Sequence, residues 1–372
     1  MKNIPFVSLE HQNALIKKEL EADILDTVQS NHFILGDKLK KFETEYAAYS
    51  NTSHCIGVGN GFDALKLSLL ALGIKKGDEV IAPAHTFIAT ILAIMDVGAT
   101  PVLVDAHPKT YTIDQHLVEA KISTKTKAII VVHIYGNPCE MDQLCSIAER
   151  NGLFIIEDNA QAQGALYKGH KTGSFGVLNA TSFYPAKNLG CFGDGGAITT
   201  NQNSLLETLL MLRNYGSLKK YFADLSGCNS RLDEIQAGIL SIKLKYLDNW
   251  NSQRQKMVTE YKKYLDLGIR TQHIDANSIS VYHLFTIECD KRNELQEFLT
   301  TEGINTQIHY PVPPHLQKAC SKLGYKKGDL PVTEKLSDTL LSLPLYIGLT
   351  SLDIQFISEK VNSFYKKNNL LD

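Results

Sequence analysis

Hydrophobic positions along the 372-residue chain change texture near residue 54. Before it they recur at helical spacing. In KLKKFETEYAAYS, Leu39, Phe42, Tyr46 and Tyr49 share one face and Lys and Glu the other, which predicts helices of an N-terminal arm. After it come short apolar runs: HCIGV (54–58), EVIAP (79–83), TPVLVD (100–105), AIIVVHIYG (128–136), LFIIED (153–158), NATSFY (179–184) and GGAITT (195–200). Helix-like segments separate them, among them GFDALKLSLLALG (61–73) and MDQLCSIAERNG (141–152), the second closed by a glycine stop. Runs that are continuously apolar rather than alternating need cover on both faces. Residues 54 to 200 therefore predict a mainly parallel sheet between helices, an α/β fold.

After an irregular stretch (214–230), RLDEIQAGILSIKLKYLDNWNSQRQKMVTEYKKYL predicts one or two long amphipathic helices. Ile235, Ile239, Ile242 and Tyr246 recur at three or four, and no proline interrupts them. From about residue 270, VYHLFTIEC (281–289) and NELQEFLTTEG (293–303) predict a smaller α+β domain. The expected division is 1–250 for the arm and large domain and 251–372 for the small C-terminal domain.

Composition narrows the function classes. A formal net charge of −2 gives no reason to expect nucleic acid or an acidic membrane surface as partner. MKNIPFVSLEHQ holds no apolar run of the signal-peptide kind, and no segment approaches transmembrane length. The seven cysteines lack CxxC spacing, which argues against a disulfide framework or a zinc site and fits a reducing compartment. The expectation is a cytoplasmic protein without a metal centre.

In an open parallel sheet, ligands gather at the carboxyl ends of the strands. The first run ends in GVGNGFDAL, where backbone N–H groups at Asn60, Gly61 and Phe62 could face an anion at a helix N-terminus. A tight turn would need the same glycines. The second ends in PAHTFIAT, where Phe87 is either core or a platform for an aromatic ring. The fifth ends in FIIEDNAQAQGA. Asp158 there follows apolar residues and is either a buried carboxylate in need of a partner or a helix cap, with the Gln161 amide close by. Lys187 lies in SFYPAKNLGCFGDGGAITT (182–200), amid Gly190, Gly193, Gly195 and Gly196. Most lysines are solvated surface charge, yet one held at a sheet end can lose its proton and become a nucleophile. Anion donors, a flat platform, a buried carboxylate and an amine together form the set that pyridoxal 5'-phosphate requires.

The chain resembles the fold-type I, aspartate-aminotransferase-like sugar aminotransferases called DegT/DnrJ/EryC1/StrS. The resemblance rests on HFILGDKLKKFE (32–43), GVGNGFDALKLSLLALGIKKGDEVIAPAHTFIAT (57–90), HIYGNPCEMD (133–142), EDNAQAQGA (157–165), SFYPAKNLGCFGDGGA (182–197) and NSRLDEIQAGIL (229–240). YHLF (282–285) and HYPVP (309–313) extend it into the C-terminal part. It implies an α-β-α sandwich, with Lys187 as the Schiff-base lysine and proton carrier. Asp158 would be the partner of the pyridine nitrogen, Gln161 would sit near the cofactor's O3′, and Phe87 would stack on the ring. Asn60, Gly61 and Ser182 would hold the phosphate, with Asn229 reaching in from a second subunit, so a homodimer is implied. Lysine rather than histidine at position 187 favours transamination over dehydration.

The implied substrates are L-glutamate and a nucleotide sugar. FYPAKNLGCFGDGGA and HYPVP resemble enzymes that aminate C3 of dTDP-3-keto-6-deoxyhexoses, with a 4-keto nucleotide sugar as the alternative. Tyr184, His309 and Tyr310, then Lys219, Tyr221 and Arg231, are candidate substrate contacts; packing or solvated charge would account for each equally well. Two rivals remain. One is a regulator that binds the cofactor without turnover. The other is a dinucleotide-binding dehydrogenase, against which the first turn lacks the required glycine spacing.

Overall fold

A computed structural model describes residues 3–371. Strands β1 (His54–Val58), β2 (Glu79–Pro83), β3 (Thr100–Val104), β4 (Thr126–Val132) and β5 (Phe154–Asp158) are followed by two-residue strands β6 (Leu166–Tyr167) and β7 (His170–Lys171). Then come β8 (Leu178–Ser182) and β9 (Gly196–Thr200). Seven of these form one sheet in the order β1-β9-β8-β5-β4-β2-β3. Only β9 runs against the rest, antiparallel to both β1 and β8. From β2 the chain builds outward to β3, then returns to lay down β4, β5 and β8 on the other side. The crevice at that reversal is where an open α/β sheet takes a ligand.

The apolar runs are strands because both sheet faces are covered. On one face Val80, Ala82, Ile130, Ile156 and Ile198 pack beneath α4 (Gly61–Ala71), α5 (Ile88–Asp96) and α8 (Asn203–Leu212); the chain between these adds α6 (Gln115–Val118) and α7 (Met141–Arg150). On the other face Ile81, Val104, Ile129, Val131 and Ile155 pack against Met141, Leu144 and Ile147 of α7. The N-terminal part forms α1 (Glu10–Leu15), α2 (Lys17–Ser30) and α3 (Asp37–Ser50). The predicted α3 face is buried at Leu39, Phe42 and Tyr46.

The long apolar-periodic segment is two helices, α9 (Glu234–Leu244) and α10 (Leu247–Tyr264), separated at Lys245 and Tyr246. It divides because α9 packs on α2 and α3 whereas α10 packs on the C-terminal helix. The C-terminal part holds β10 (Ser278–Ile279), β11 (Phe285–Glu288), α11 (Arg292–Thr301), α12 (Pro331–Thr339), β12 (Leu340–Leu343) and α13 (Ser351–Lys367), with β11 and β12 antiparallel. Its core draws in Ile4, Ile16 and Leu20 from the N-terminal segment, beside Phe285, Leu295, Ile354 and Val361.

The run AIIVVHIYG is strand only as far as Val132. His133 leaves the sheet and Tyr135 adopts a left-handed conformation, φ 60°, in a single turn over 134–136. That turn aims the Tyr135 N–H at the Gln161 side chain.

Candidate active site

The ends of β2, β4, β5 and β8 open onto a cavity of about 540 Å³ that is also walled by the C-terminal part of the chain. Its size is that of a site for a small molecule of cofactor dimensions. Asp158, the last residue of β5, is 8% exposed there. Its Oδ2 accepts a hydrogen bond from Thr90 Oγ1 at 2.9 Å and its Oδ1 accepts from the Ala160 N–H at 3.2 Å. Burial raises its pKa, opposed by those two hydrogen bonds and by the charges of Lys187 and His133. The carboxylate is thus oriented but incompletely compensated, and a cation brought alongside would complete it.

Lys187 lies in the turn after β8, half-buried, its N–H bonded to the Tyr184 carbonyl at 2.8 Å. Among the described residues no hydrogen-bond partner holds its amine. Burial lowers its pKa from 10.5 to about 8, against the opposing pull of Asp158. The residues after it are clamped. Asn188 Nδ2 donates to Asn251 Oδ1 at 2.8 Å and to the Val281 carbonyl at 3.0 Å, and the Cys191 N–H returns to the Phe183 carbonyl at 2.8 Å. Lys243, 1% exposed on α9, donates to the Gly190 carbonyl at 2.8 Å. The glycine-rich backbone therefore has a fixed course, with Lys187 projecting from its first turn.

Opposite, Asn60 caps α4: its Oδ1 accepts from the Asp63 N–H at 2.8 Å. The N–H groups of Gly61 and Phe62, which no helical carbonyl can reach, are left at the cavity wall that both residues line. A Cβ on Gly61 would lie 2.6 Å from the Cβ of Ser182, so only glycine lets α4 meet the end of β8 this closely. Donors without an acceptor at a helix N-terminus suit a phosphate.

Phe87 stands at the mouth, half exposed, its ring 5.4 Å from that of Tyr310. The Gln161 amide is oriented by the unusual turn after β4. Its Oε1 accepts from the Tyr135 N–H at 2.7 Å, which leaves Nε2 to donate to Tyr310 Oη at 3.2 Å. The Tyr135 hydroxyl in turn donates to the His309 carbonyl. One strained residue thus holds Gln161 and the 309–310 segment together.

Ten of the expected residues share this cavity: Asn60, Gly61, Phe87, Asp158 and Gln161, then Ser182, Tyr184, Lys187, His309 and Tyr310. Four do not line it. Lys219 and Tyr221 sit on a projecting hairpin with Tyr221 89% exposed, Asn229 is bridged to Asn214, and Arg231 bonds the Asn214 side chain at 3.2 Å.

Several residues went unnoticed in the sequence. Thr86 and Thr90 bond each other at 2.9 Å, and Thr90 in turn bonds Asp158; their spacing of four at a helix start was a visible signal. Tyr135, Arg254, His283 and Gln307 gave none, because their places depend on packing between distant segments.

The donor set suits the cofactor that the sequence suggested. A neutral-prone amine, a carboxylate short of a counter-charge, a helix N-terminus with open N–H groups and a ring at the mouth meet in one cavity.

Known proteins agree. A relative from Geobacillus stearothermophilus named pleiotropic regulatory protein is 45% identical over 369 residues, spanning 98% of this chain and 99% of its own length. The dTDP-3-amino-3,6-dideoxy-alpha-D-galactopyranose transaminase of Aneurinibacillus thermoaerophilus is 44% identical over 362 residues, 97% of this chain and 99% of its own. The crystal structure of S. venezuelae DesV in complex with a ketimine intermediate superposes with a TM-score of 0.96 at 44% identity, covering 98% and 99% of the two chains. NtdA from Bacillus subtilis, solved with bound PMP, superposes with a TM-score of 0.91 at 30% identity, over 98% and 86%. The profile of the DegT/DnrJ/EryC1/StrS aminotransferase family matches residues 14–362, and the chain belongs to that family.

Proposed function

We propose that the protein is a pyridoxal-phosphate-dependent aminotransferase acting on a nucleotide-linked ketosugar, with L-glutamate as amino donor. The observation that carries this reading is the half-buried Lys187 amine, without a hydrogen-bond partner among the described residues, in one cavity with Asp158. When bound, the cofactor supplies an aldehyde carbon and a ring that takes up an electron pair from the substrate carbon.

The chain supplies the rest. Lys187, its pKa lowered by burial to about 8, offers a neutral amine to hold the aldehyde at a pH where an exposed lysine would be charged. Displaced by the donor, Lys187 Nζ takes the proton from the donor's α-carbon, and in the return half it delivers the proton that sets the new amine on the sugar. Asp158, oriented by Thr90 and the Ala160 N–H, keeps the ring nitrogen protonated. The Gly61 and Phe62 N–H groups with Ser182 would bind the phosphate, Phe87 would cover the ring, and Gln161 would reach its hydroxyl. Tyr184, His309 and Tyr310, which line the same cavity, would face the sugar.

Two transaminases of dTDP-3-amino sugars among the relatives support C3 of a dTDP-3-keto-6-deoxyhexose as the position aminated. A homodimer would give Asn229, Lys219, Tyr221 and Arg231 a cavity to serve. Tyr215, Leu218, Tyr221 and Phe222 on the same stretch are all exposed, and a second copy packed there would cover them. Work in the cytoplasm is in keeping with cysteines that are all free and with the absence, among the described residues, of a helix long and apolar enough to cross a membrane.

One relative's name favours a second reading, a regulator that binds the cofactor without turnover. An absorbance spectrum before and after adding L-glutamate separates the two. The expected result is replacement of a visible cofactor band by a near-ultraviolet one, reversed by a dTDP-3-ketosugar. A bound cofactor indifferent to every amino donor would favour the regulator.

A further inference from the structure

One buried polar group at the rim of the cavity has no part in the reading above. His85 follows β2 and is 2% exposed, and its Nε2 lies 2.9 Å from the Tyr135 hydroxyl. That hydroxyl has a single hydrogen, which it donates to the His309 carbonyl, an atom that can only accept. What it offers His85 is therefore a lone pair, and His85 must present an N–H at Nε2. Burial holds the His85 ring down near 4, opposed by the charge of Asp105, so the ring is neutral and that N–H is its only one.

At the far end of this link stands a stretch with little else to hold it. After the pairing of Gln307 with Ser342 the chain runs to Val312 without helix or strand. From Ile308 to Pro311, among the described residues, the His309 carbonyl is the one backbone atom with a hydrogen bond, the one from Tyr135. Two side-chain ties are added: His309 Nδ1 lies 2.8 Å from Ser342 Oγ, and Tyr310 Oη accepts from Gln161 Nε2 at 3.2 Å. Gln161 is itself set by the Tyr135 N–H. Tyr135 thus serves the segment twice, through its backbone and through its hydroxyl, and the His85 N–H turns that hydroxyl toward residue 309.

The segment borders the outer part of the cavity. Tyr310 packs on Phe87, which is half exposed at the mouth, and His309 packs on Phe6 with ring centres 5.6 Å apart. An amino acid is short enough to be held at Lys187, whereas a nucleotide sugar reaches past the cofactor to this rim. We propose that His85 is a positioning residue: acting through the Tyr135 hydroxyl, it sets His309 and Tyr310 for the nucleotide sugar and leaves the amino-donor step largely unaffected. The inference rests on the aminotransferase reading and names a residue on which its second substrate depends.

The test uses the cofactor-loaded protein and dTDP-6-deoxyglucose, which has no keto group to react, titrated by calorimetry into wild type, His85→Met, His85→Gln and Tyr135→Phe. Conversion of the cofactor by L-glutamate alone is followed by absorbance in parallel. Nucleotide-sugar binding should weaken about tenfold in His85→Met and in Tyr135→Phe, with the rate of the glutamate step changed less than about threefold. An amide N–H near the place of Nε2 should let His85→Gln regain most of the affinity. Combining His85→Met with Tyr135→Phe should cost no more than the weaker single variant, since both remove one link. Unchanged sugar binding in the single variants overturns the proposal, and so do losses that add in the combined variant. Equal loss in both steps with a lowered melting temperature also overturns it and makes His85 a packing residue. Should His85→Met not fold, Tyr135→Phe, which removes one oxygen, decides. Wild type whose cofactor ignores L-glutamate and every other donor counts against the aminotransferase reading, while the sugar titration still decides the role of His85.

Discussion

At the scale of single residues, the chemistry depends on burial acting on ordinary side chains. Lys187 is an unremarkable lysine until the turn after β8 carries it into the cavity, where desolvation lowers its pKa to about 8. The sign is clear: a depressed pKa makes the nucleophilic, neutral form more abundant at a given pH. In the cofactor-free protein the rate of pyridoxal phosphate capture, followed by absorbance, should rise as pH increases through about 8 and then level off. A rate still climbing beyond about 10 would show an amine of ordinary solvent-exposed character. Asp158 shows the converse, a carboxylate raised by burial and steadied by Thr90. The sequence announced Lys187 and Asp158 by their placement after apolar runs. It did not announce Arg254, since an arginine in a polar helix reads as commonplace.

At the scale of elements, the proposed phosphate site depends on the close approach of α4 to the end of β8. Gly61 leaves no room for a Cβ against Ser182. Gly61→Ala should push the helix N-terminus away and weaken pyridoxal phosphate binding by about tenfold or more, with a stability loss of about 1–3 kcal/mol. Absorbance titration and thermal melting measure the two effects, and undiminished cofactor affinity would show that the helix N-terminus does not hold the phosphate. Strand bounds such as 54–58 and 79–83 were legible because a strand covered on both faces writes itself as a continuous apolar run. The end of β4 and the break between α9 and α10 were not. Tyr135 adopts its left-handed turn for the sake of Gln161, and α9 parts from α10 because their packing partners differ.

At the scale of the whole molecule, the cavity is made by segments far apart in sequence, and four expected contacts lie outside it; in the proposed homodimer a second copy would bring them to a site. Mixing Lys187→Ala protein with Asn229→Asp protein tests this. If sites are shared, hybrid dimers contain one site with Lys187 from one chain and an intact Asn229 from the other, and activity returns on mixing. Hybrids that form, as shown by a tag on one variant, yet stay inactive would mean that each chain completes its own site.

By itself the sequence determined the α/β sheet, the order of its strands and helices along the chain, and which strand ends carry an amine, a carboxylate and open N–H groups. All of these follow from local period and turn chemistry, where neighbours in sequence are neighbours in space. Only the tertiary structure decided that the wall facing Lys187 is built from Arg254, His283, Gln307 and His309, and that Tyr135 joins His85 to the 309–310 segment. Those facts arise from long-range packing, which is not written in any short stretch of residues.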